Sequence, residues 1–89
     1  MEYADGTYIK FGDILVKLDV PIGYWVGITE LDTLENVPDG TTIGVWTDNG
    51  KTYYDRSKWF NDKDKAIEIG KFCNQMAIWD CENQTEIWL

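Results

Sequence analysis

A chain of 89 residues with a net charge of −8 is expected to form one domain, residues 1–89, because single hydrophobic cores organise about 50–200 residues. Sixteen acidic residues against eight basic ones argue against direct binding to nucleic-acid phosphates or to anionic membranes. The absence of histidine, with only two cysteines, excludes the common Cys/His zinc sites.

The N-terminal stretch, residues 1–6, lacks the basic and apolar segments of a signal peptide. No apolar run reaches the ~18 residues that a membrane span requires. We therefore expect a cytoplasmic location. In a reducing cytoplasm, Cys73 and Cys81 are expected to remain free thiols.

The first third of the chain is predicted to form strands. Residues 14–20 alternate between apolar and polar side chains, with Lys17 and Asp19 on the polar side, which is typical of a half-buried strand. A preceding strand over residues 7–11 forms a hairpin with it, and a third strand covers residues 24–28. The side chains expected to face the core from the second strand are Ile14, Val16, Leu18 and Val20.

Residues 29–40 connect these strands to the next hairpin. Leu31, Leu34 and Val37 recur at every third position, which predicts one or two helical turns anchored on the core. The acidic residues between them are then expected to point to solvent. The segment ends in the turn signal Pro38-Asp39-Gly40.

The strongest local signal is Asn49-Gly50 within residues 42–55, because a type I′ turn requires positive φ at both central positions. A two-residue loop fixes the register so that Trp46 opposes Tyr53. The other expected pairs are Asp48 with Lys51, Thr47 with Thr52, and Val45 with Tyr54.

A helix is predicted next, capped by Asn61 or Asp62. Gly70 lies inside it, which predicts close packing against a strand or a bulky ring at that position. The apolar stripe of the helix is expected to contain Ala66, Ile69, Cys73 and Met76, widened by Phe72.

The chain ends with two short predicted strands, residues 77–80 and 85–89, whose register the sequence leaves open. Strands in runs with a single helix are typical of an α+β domain. The expected architecture is an antiparallel sheet of about five to seven short strands with one helix packed on one face.

No residue pattern predicts catalysis. Without histidine, a serine or cysteine nucleophile lacks its usual base, and among sixteen acids some paired carboxylates are inevitable. The Asp62-Lys63-Asp64 step resembles the start of a calcium loop, but helix capping explains it better. We therefore predict that the protein is not an enzyme and uses no cofactor and no metal.

The acidic residues are unevenly placed, because no basic residue occurs between Lys17 and Lys51. A charge run is most often a solvated face. The functional alternative is a negative surface that occupies a basic groove, as a nucleic-acid mimic would. The acidic residues predicted to contact a partner are Glu30, Asp32, Glu35, Asp39 and Asp48.

Most of the five tryptophans are expected in the core, since a short chain needs bulky apolar groups. Trp46 and Tyr53, with charged neighbours on one hairpin, are the pair expected to be exposed and available to a partner. Trp59 is expected to close the core near the start of the helix.

The Asn-Gln-Met-Ala-Ile-Trp-Asp passage, residues 74–80, is similar to an ending found in some phage proteins. In size, acidity and aromatic content the chain resembles small accessory proteins of bacteriophages and prophages, among them anti-CRISPR and other anti-defence inhibitors. The resemblance implies a non-catalytic inhibitor that blocks a basic, nucleic-acid-binding surface of a host nuclease complex such as CRISPR-Cas. It transfers no functional residue.

Two alternatives to such an inhibitor remain open from the sequence. One is a protein that binds or sequesters a small ligand, a nucleotide or a sugar, in an aromatic pocket. The other is a structural or adaptor subunit that self-associates, for example as a homodimer, through strand edges that include Trp88 and Leu89.

Overall fold

A computed structural model describes residues 3–89, so the first two residues of the N-terminal stretch considered above lie outside it. Its strands and helix form one antiparallel sheet of seven strands, curled into a half-barrel, with a single helix. The predicted α+β architecture is confirmed. In chain order the elements are β1 (Gly6–Phe11), β2 (Ile14–Lys17), β3 (Tyr24–Leu31), β4 (Thr42–Asp48), β5 (Lys51–Phe60), α1 (Lys63–Phe72), β6 (Ala77–Asp80) and β7 (Thr85–Trp88).

The strand order is β2-β1-β4-β5-β3-β6-β7, so β2 and β7 form the two edges of the sheet. The β4–β5 hairpin at the centre has the predicted register, with Trp46 opposite Tyr53 and Asp48 opposite Lys51. Asn49 and Gly50 have φ values of 51° and 77°, as a type I′ turn requires. The prediction for this hairpin is confirmed.

Side chains alternate across each strand, so the pairing registers assign every residue to one of two faces. We call the face that packs against the rest of the chain the core face. It carries two apolar clusters, one built around Ile43 and Val45 and one built around Val26 and Ile78. Helix α1 covers the second cluster, which also contains Ala66.

The connection after β3 covers the first cluster. Val37 is buried there and Leu34 packs beside it, as the sequence predicts. The predicted helical turns are wrong: the segment is a turn in which the Val37 N–H donates to the Leu34 carbonyl, with Asn36 at φ 65°. Asparagine tolerates this left-handed conformation, which prevents a helix from continuing.

Strand β3 is longer than predicted because it continues to pair with β5 as far as Leu31, opposite Tyr54. Glu30 therefore lies on a strand and not on the connection. A β-bulge between Gly27 and Thr29 shifts the register by one residue. The shift places Glu30 on the face opposite the core, where a regular strand would have placed Thr29.

The predicted facing of β2 is wrong. Leu15 is buried in the core cluster with Tyr8, whereas Ile14 and Val16 are 52% and 44% exposed. A shift of one residue in register turns every side chain of a strand to the other face, and alternation alone does not fix which set faces inward. The strand also ends at Lys17, so Leu18 and Val20 lie beyond it.

Helix α1 begins after Asp62, whose carboxylate accepts hydrogen bonds from the backbone N–H groups of Asp64 and Lys65. The close packing predicted at Gly70 is confirmed, because a Cβ there would lie 2.9 Å from Ile78 Cγ2. The predicted apolar stripe is partly wrong. Phe72 and Met76 are 84% and 62% exposed, since the helix ends at Phe72 and the chain then turns away.

The C-terminal hairpin pairs Ala77 with Trp88 and Asp80 with Thr85. Asp80 is buried and accepts hydrogen bonds from Asn83 and from the Glu82 N–H. These bonds hold the pKa of its carboxyl below the usual value, and the bond from the Asn83 side-chain amide has the largest effect. Cys81 is buried and Cys73 is partly buried, and both are free thiols.

The expectation that most tryptophans lie in the core is wrong. Only Trp25 is buried, while Trp46 and Trp88 are 36% and 68% exposed. Trp59 and Trp79 are half-buried. These exposed rings make the face of the sheet opposite the core face a candidate binding surface.

Candidate functional site

The sheet face opposite the core lines an open cleft of about 770 Å³. Side chains alternate along the three central strands, and after the bulge in β3 the alternation brings Glu30 to this face. The residues on this face are Trp25, Gly27 and Glu30 from β3, Gly44, Trp46 and Asp48 from β4, and Tyr53, Asp55 and Ser57 from β5. The segment that follows α1 adds the side chain of Gln75 to the wall. Pockets of about 300–1,000 Å³ are the usual size for ligand sites.

One end of the cleft is walled by tryptophan. Three tryptophans are direct neighbours on adjacent strands: Trp79 on β6, Trp25 on β3 and Trp59 on β5. Their rings therefore form a row on one face of the sheet. Trp59 is fixed by its indole N–H, which donates to the Ile22 carbonyl at 2.8 Å. Trp25 and Trp79 line the cleft and Trp59 lies outside it.

Two strands carry glycine on the floor of the cleft, and the Asp55 carboxylate takes up the space that side chains there would need. A Cβ on Gly27 would lie 2.8 Å from Asp55 Oδ2 and 3.2 Å from the side-chain oxygen of Gln75. A Cβ on Gly44 would lie 2.7 Å from Ser57 Oγ and closer still to the carboxylate of Asp55. The Asp55 carboxylate therefore spans the space that side chains at both glycines would fill. We call the part of the cleft that is lined by Gly27, Gly44 and this carboxylate the glycine hollow.

Asp55 is a half-buried carboxylate. Burial raises the pKa of its carboxyl, and three hydrogen bonds that favour the ionised form offset part of the rise. The Ser57 hydroxyl donates to Oδ1 at 2.7 Å, and the other two donors are the Trp46 side chain and the Gly44 backbone N–H. The negative charge of Glu30, directly opposite Asp55 in register, raises the pKa further. Within residues 3–89 the ion pairs are Lys10–Asp39 and Lys65–Glu68, so Asp55 has no cationic partner among the described residues.

Two stacked aromatic rings form one wall of the glycine hollow. The rings of Trp46 and Tyr53 lie with centroids 4.4 Å apart and planes inclined by 16°. Lys51 Nζ sits 4.8 Å from the Tyr53 centroid, on the same strand. The stack thus already makes one cation–π contact with the chain itself.

The lining of the cleft is strongly acidic. Among residues 3–89, Lys17 is the one basic residue in it, and its ammonium group is engaged by the Tyr8 ring at 5.2 Å and the Asp5 carbonyl at 3.5 Å. Carboxylates that line the same space focus a negative potential in a confined volume. They are Asp5, Asp19, Glu30, Asp48, Asp55 and Glu86.

The residues predicted from the sequence to contact a partner divide between two places. Glu30, Asp48, Trp46 and Tyr53 line the cleft. The other three acids lie on the connection that covers the core face, all exposed: Asp32, Glu35 and Asp39. Asp39 is engaged locally, since its carboxylate accepts from the Gly12 N–H at 2.9 Å and lies 3.6 Å from Lys10 Nζ.

Asp55 is not among the site residues predicted from the sequence, although two signals point to it. The register set by the Asn49-Gly50 turn places residue 55 opposite residue 44, on the same face as Trp46 and Tyr53. A glycine inside a strand, here Gly44, is typical of a close approach by another group. The contribution of Asp5, Asp19 and Glu86 depends on the curvature of the sheet and had no local signal.

Among residues 3–89 no cluster of three or more acidic or cysteine side chains has the geometry to hold a metal ion. None of the helical structure described is both long and apolar enough to cross a membrane. No protein-family model matches the chain, and neither a curated protein nor a solved structure is significantly similar to it.

Proposed function

We propose that the domain is a non-catalytic protein-binding module that receives a basic segment of a partner protein in this cleft. The observation that carries the proposal is the lining: six carboxylates and one engaged lysine share a space of about 770 Å³ with exposed aromatic rings. Opposite charges across an interface steer association and select the partner. Aromatic residues supply most of the energy at the centre of such interfaces.

The shape of the site determines what the partner supplies. A concave cleft accepts a projecting element, such as a loop or the end of a helix, that carries lysine or arginine. This differs from a nucleic-acid mimic, which inserts its own acidic surface into a groove of the partner. The acids that such a mimic would present lie on the connection after β3, outside the cleft. They are Asp32, Glu35 and Asp39.

The partner class to test first is a basic host protein that binds nucleic acid. Such proteins bind phosphates with exposed lysine and arginine side chains. A segment held in the cleft is unavailable to phosphate, so binding produces inhibition without chemistry. The resemblance to phage anti-defence proteins suggests the nuclease complexes of bacterial defence, CRISPR-Cas among them, as candidates.

Two matched variants test the proposal. In the cleft variant, Glu30→Gln, Asp48→Asn and Asp55→Asn remove three negative charges from the cleft. In the control variant, Asp32→Asn, Glu35→Gln and Asp39→Asn remove the same number of charges from the connection. The probe is a labelled peptide of lysine, arginine and glycine, and the measured quantity is its Kd at several salt concentrations.

We expect the cleft variant to bind the peptide at least about tenfold more weakly than the unmodified chain, with a shallower salt dependence, because charge-assisted contacts are worth roughly 1.5–3 kcal/mol each. The control variant should bind within about twofold of the unmodified chain at physiological salt, where charges more than ~8 Å apart are largely screened. Equal weakening in both variants would mean that net charge, and not the cleft, attracts the peptide.

One specific observation favours a second candidate, a neutral sugar ligand. The cleft places Asn74, Gln75 and Asp55 beside tryptophan rings, which combines flat apolar surfaces with a few polar groups that fix orientation. Binding of a neutral oligosaccharide would be nearly independent of salt. That behaviour separates it from a basic peptide in the same titration.

A further inference from the structure

We propose that the glycine hollow is a guanidinium site in which Asp55 binds one arginine side chain of the partner. This inference rests on the proposed function and names the group that the cleft recognises. Its elements all line the cleft: the Asp55 carboxylate, which lies against Gly27 and Gly44, and the Trp46 ring.

The hydrogen-bonding capacity of Asp55 is not exhausted. The Ser57 hydroxyl, the Trp46 side chain and the Gly44 N–H donate to it, whereas an ionised carboxylate accepts about four hydrogen bonds. The Asp55 Oδ2 atom and the side-chain oxygen of Gln75 lie 2.8 Å and 3.2 Å from the position of a Cβ on Gly27. Glu30, opposite Asp55 in register, adds a second carboxylate to the same place. The hollow therefore gathers acceptors, and the group that satisfies them must bring several donors.

The electrostatics require that this group be a cation. Like charges directly opposite each other in a sheet are destabilising, and Asp55 and Glu30 occupy such positions. Asp55 is also partly removed from water without a cation to compensate it among residues 3–89. A positive charge placed between the two carboxylates relieves both costs.

Arginine fits the hollow better than lysine. Its planar guanidinium carries five donors in a fixed fork that matches a carboxylate, stacks on aromatic rings and is more weakly hydrated than an ammonium group. Because neither glycine carries a side chain, the Asp55 carboxylate lies close to the sheet, and the cleft above it can take a flat group. The exposed part of Trp46 supplies an aromatic surface at its side. The ammonium group of lysine has neither the fork of donors nor the flat surface that stacks on a ring.

The test compares short peptides of glycine and lysine that differ at one central position: arginine, lysine, or citrulline, which has nearly the shape of arginine but no charge. Their Kd values for the full chain are measured by calorimetry. We expect the arginine peptide to bind at least about tenfold more tightly than the other two, since only its side chain combines a positive charge with a fork of donors that matches the carboxylate. Asp55→Asn should remove this preference. The control Asp48→Asn, at the rim of the cleft, should weaken all three peptides alike.

A second readout follows the Asp55 carboxyl carbon by NMR during a pH titration. Addition of the arginine peptide should move its titration to lower pH, because a bound cation favours the ionised form, and the citrulline peptide should not. The inference alone is overturned if all three peptides bind equally and Asp55→Asn leaves their ratio unchanged. If none of the peptides binds, the proposed function fails as well.

Discussion

At the scale of single residues, the environment of the Asp55 carboxyl opposes its ionisation. Burial in the hollow and the charge of Glu30 both raise its pKa, and Ser57 compensates only in part. A carboxyl whose pKa is raised in the folded state stabilises the fold at low pH and loses that contribution as the pH rises through the folded pKa. At neutral pH the ionised Asp55 therefore lowers the free energy of unfolding.

Asp55→Asn should raise the Tm at pH 7, because the amide keeps an acceptor for Ser57 and removes the buried charge. The difference from the unmodified chain should shrink as the pH falls towards the ordinary carboxyl value of about 3.9, where Asp55 is itself neutral. Thermal unfolding followed by circular dichroism across this range measures the effect. Asp32→Asn removes an exposed charge from the connection and serves as the control, with little change in Tm at either pH. A lower Tm for Asp55→Asn at pH 7 would mean that the carboxylate serves the fold and not a ligand.

At the scale of elements, the sequence predicts those turns and helix ends that depend on residues close together in the chain. The β4–β5 hairpin follows from the Asn49-Gly50 turn, and the start of α1 follows from the cap at Asp62. The facing of β2 is decided elsewhere: the Tyr3 hydroxyl accepts from the Leu15 N–H, and Leu15 packs with Tyr8. No local pattern could reveal those contacts.

The central turn can be tested directly. Gly50→Val puts a β-branched residue at φ 77°, and should lower the free energy of unfolding by about 1–3 kcal/mol. A Cβ at this position has no neighbour within 4 Å, so the loss would come from the backbone conformation and not from a clash. Urea denaturation measures it. Gly50→Asn is the matched control, since asparagine tolerates positive φ and should cost less. Equal stability of the valine variant and the unmodified chain would be incompatible with the turn described above.

At the scale of the whole molecule, the position of the acidic site depends on the order of the strands. The acids between Lys17 and Lys51 are close together in the chain, yet β1, β4, β5 and β3 become neighbours in an order that chain distance does not give. The cleft consequently combines Glu30 and Asp48 from that stretch with acids from far outside it, such as Asp5 and Glu86. Long-range pairing and sheet curvature are cooperative properties that local patterns do not encode.

The most direct test of the central claim, that a basic segment binds in the cleft, is an NMR titration of the chain with the lysine–arginine peptide, followed through the indole N–H signals. Trp46 lies beside Asp55 within the cleft, whereas Trp59 lies outside it with its N–H bonded to Ile22. We predict that the Trp46 signal moves with peptide concentration and that the Trp59 signal stays in place. Shifts confined to the backbone amides of residues 32–40, with Trp46 unmoved, would contradict the account.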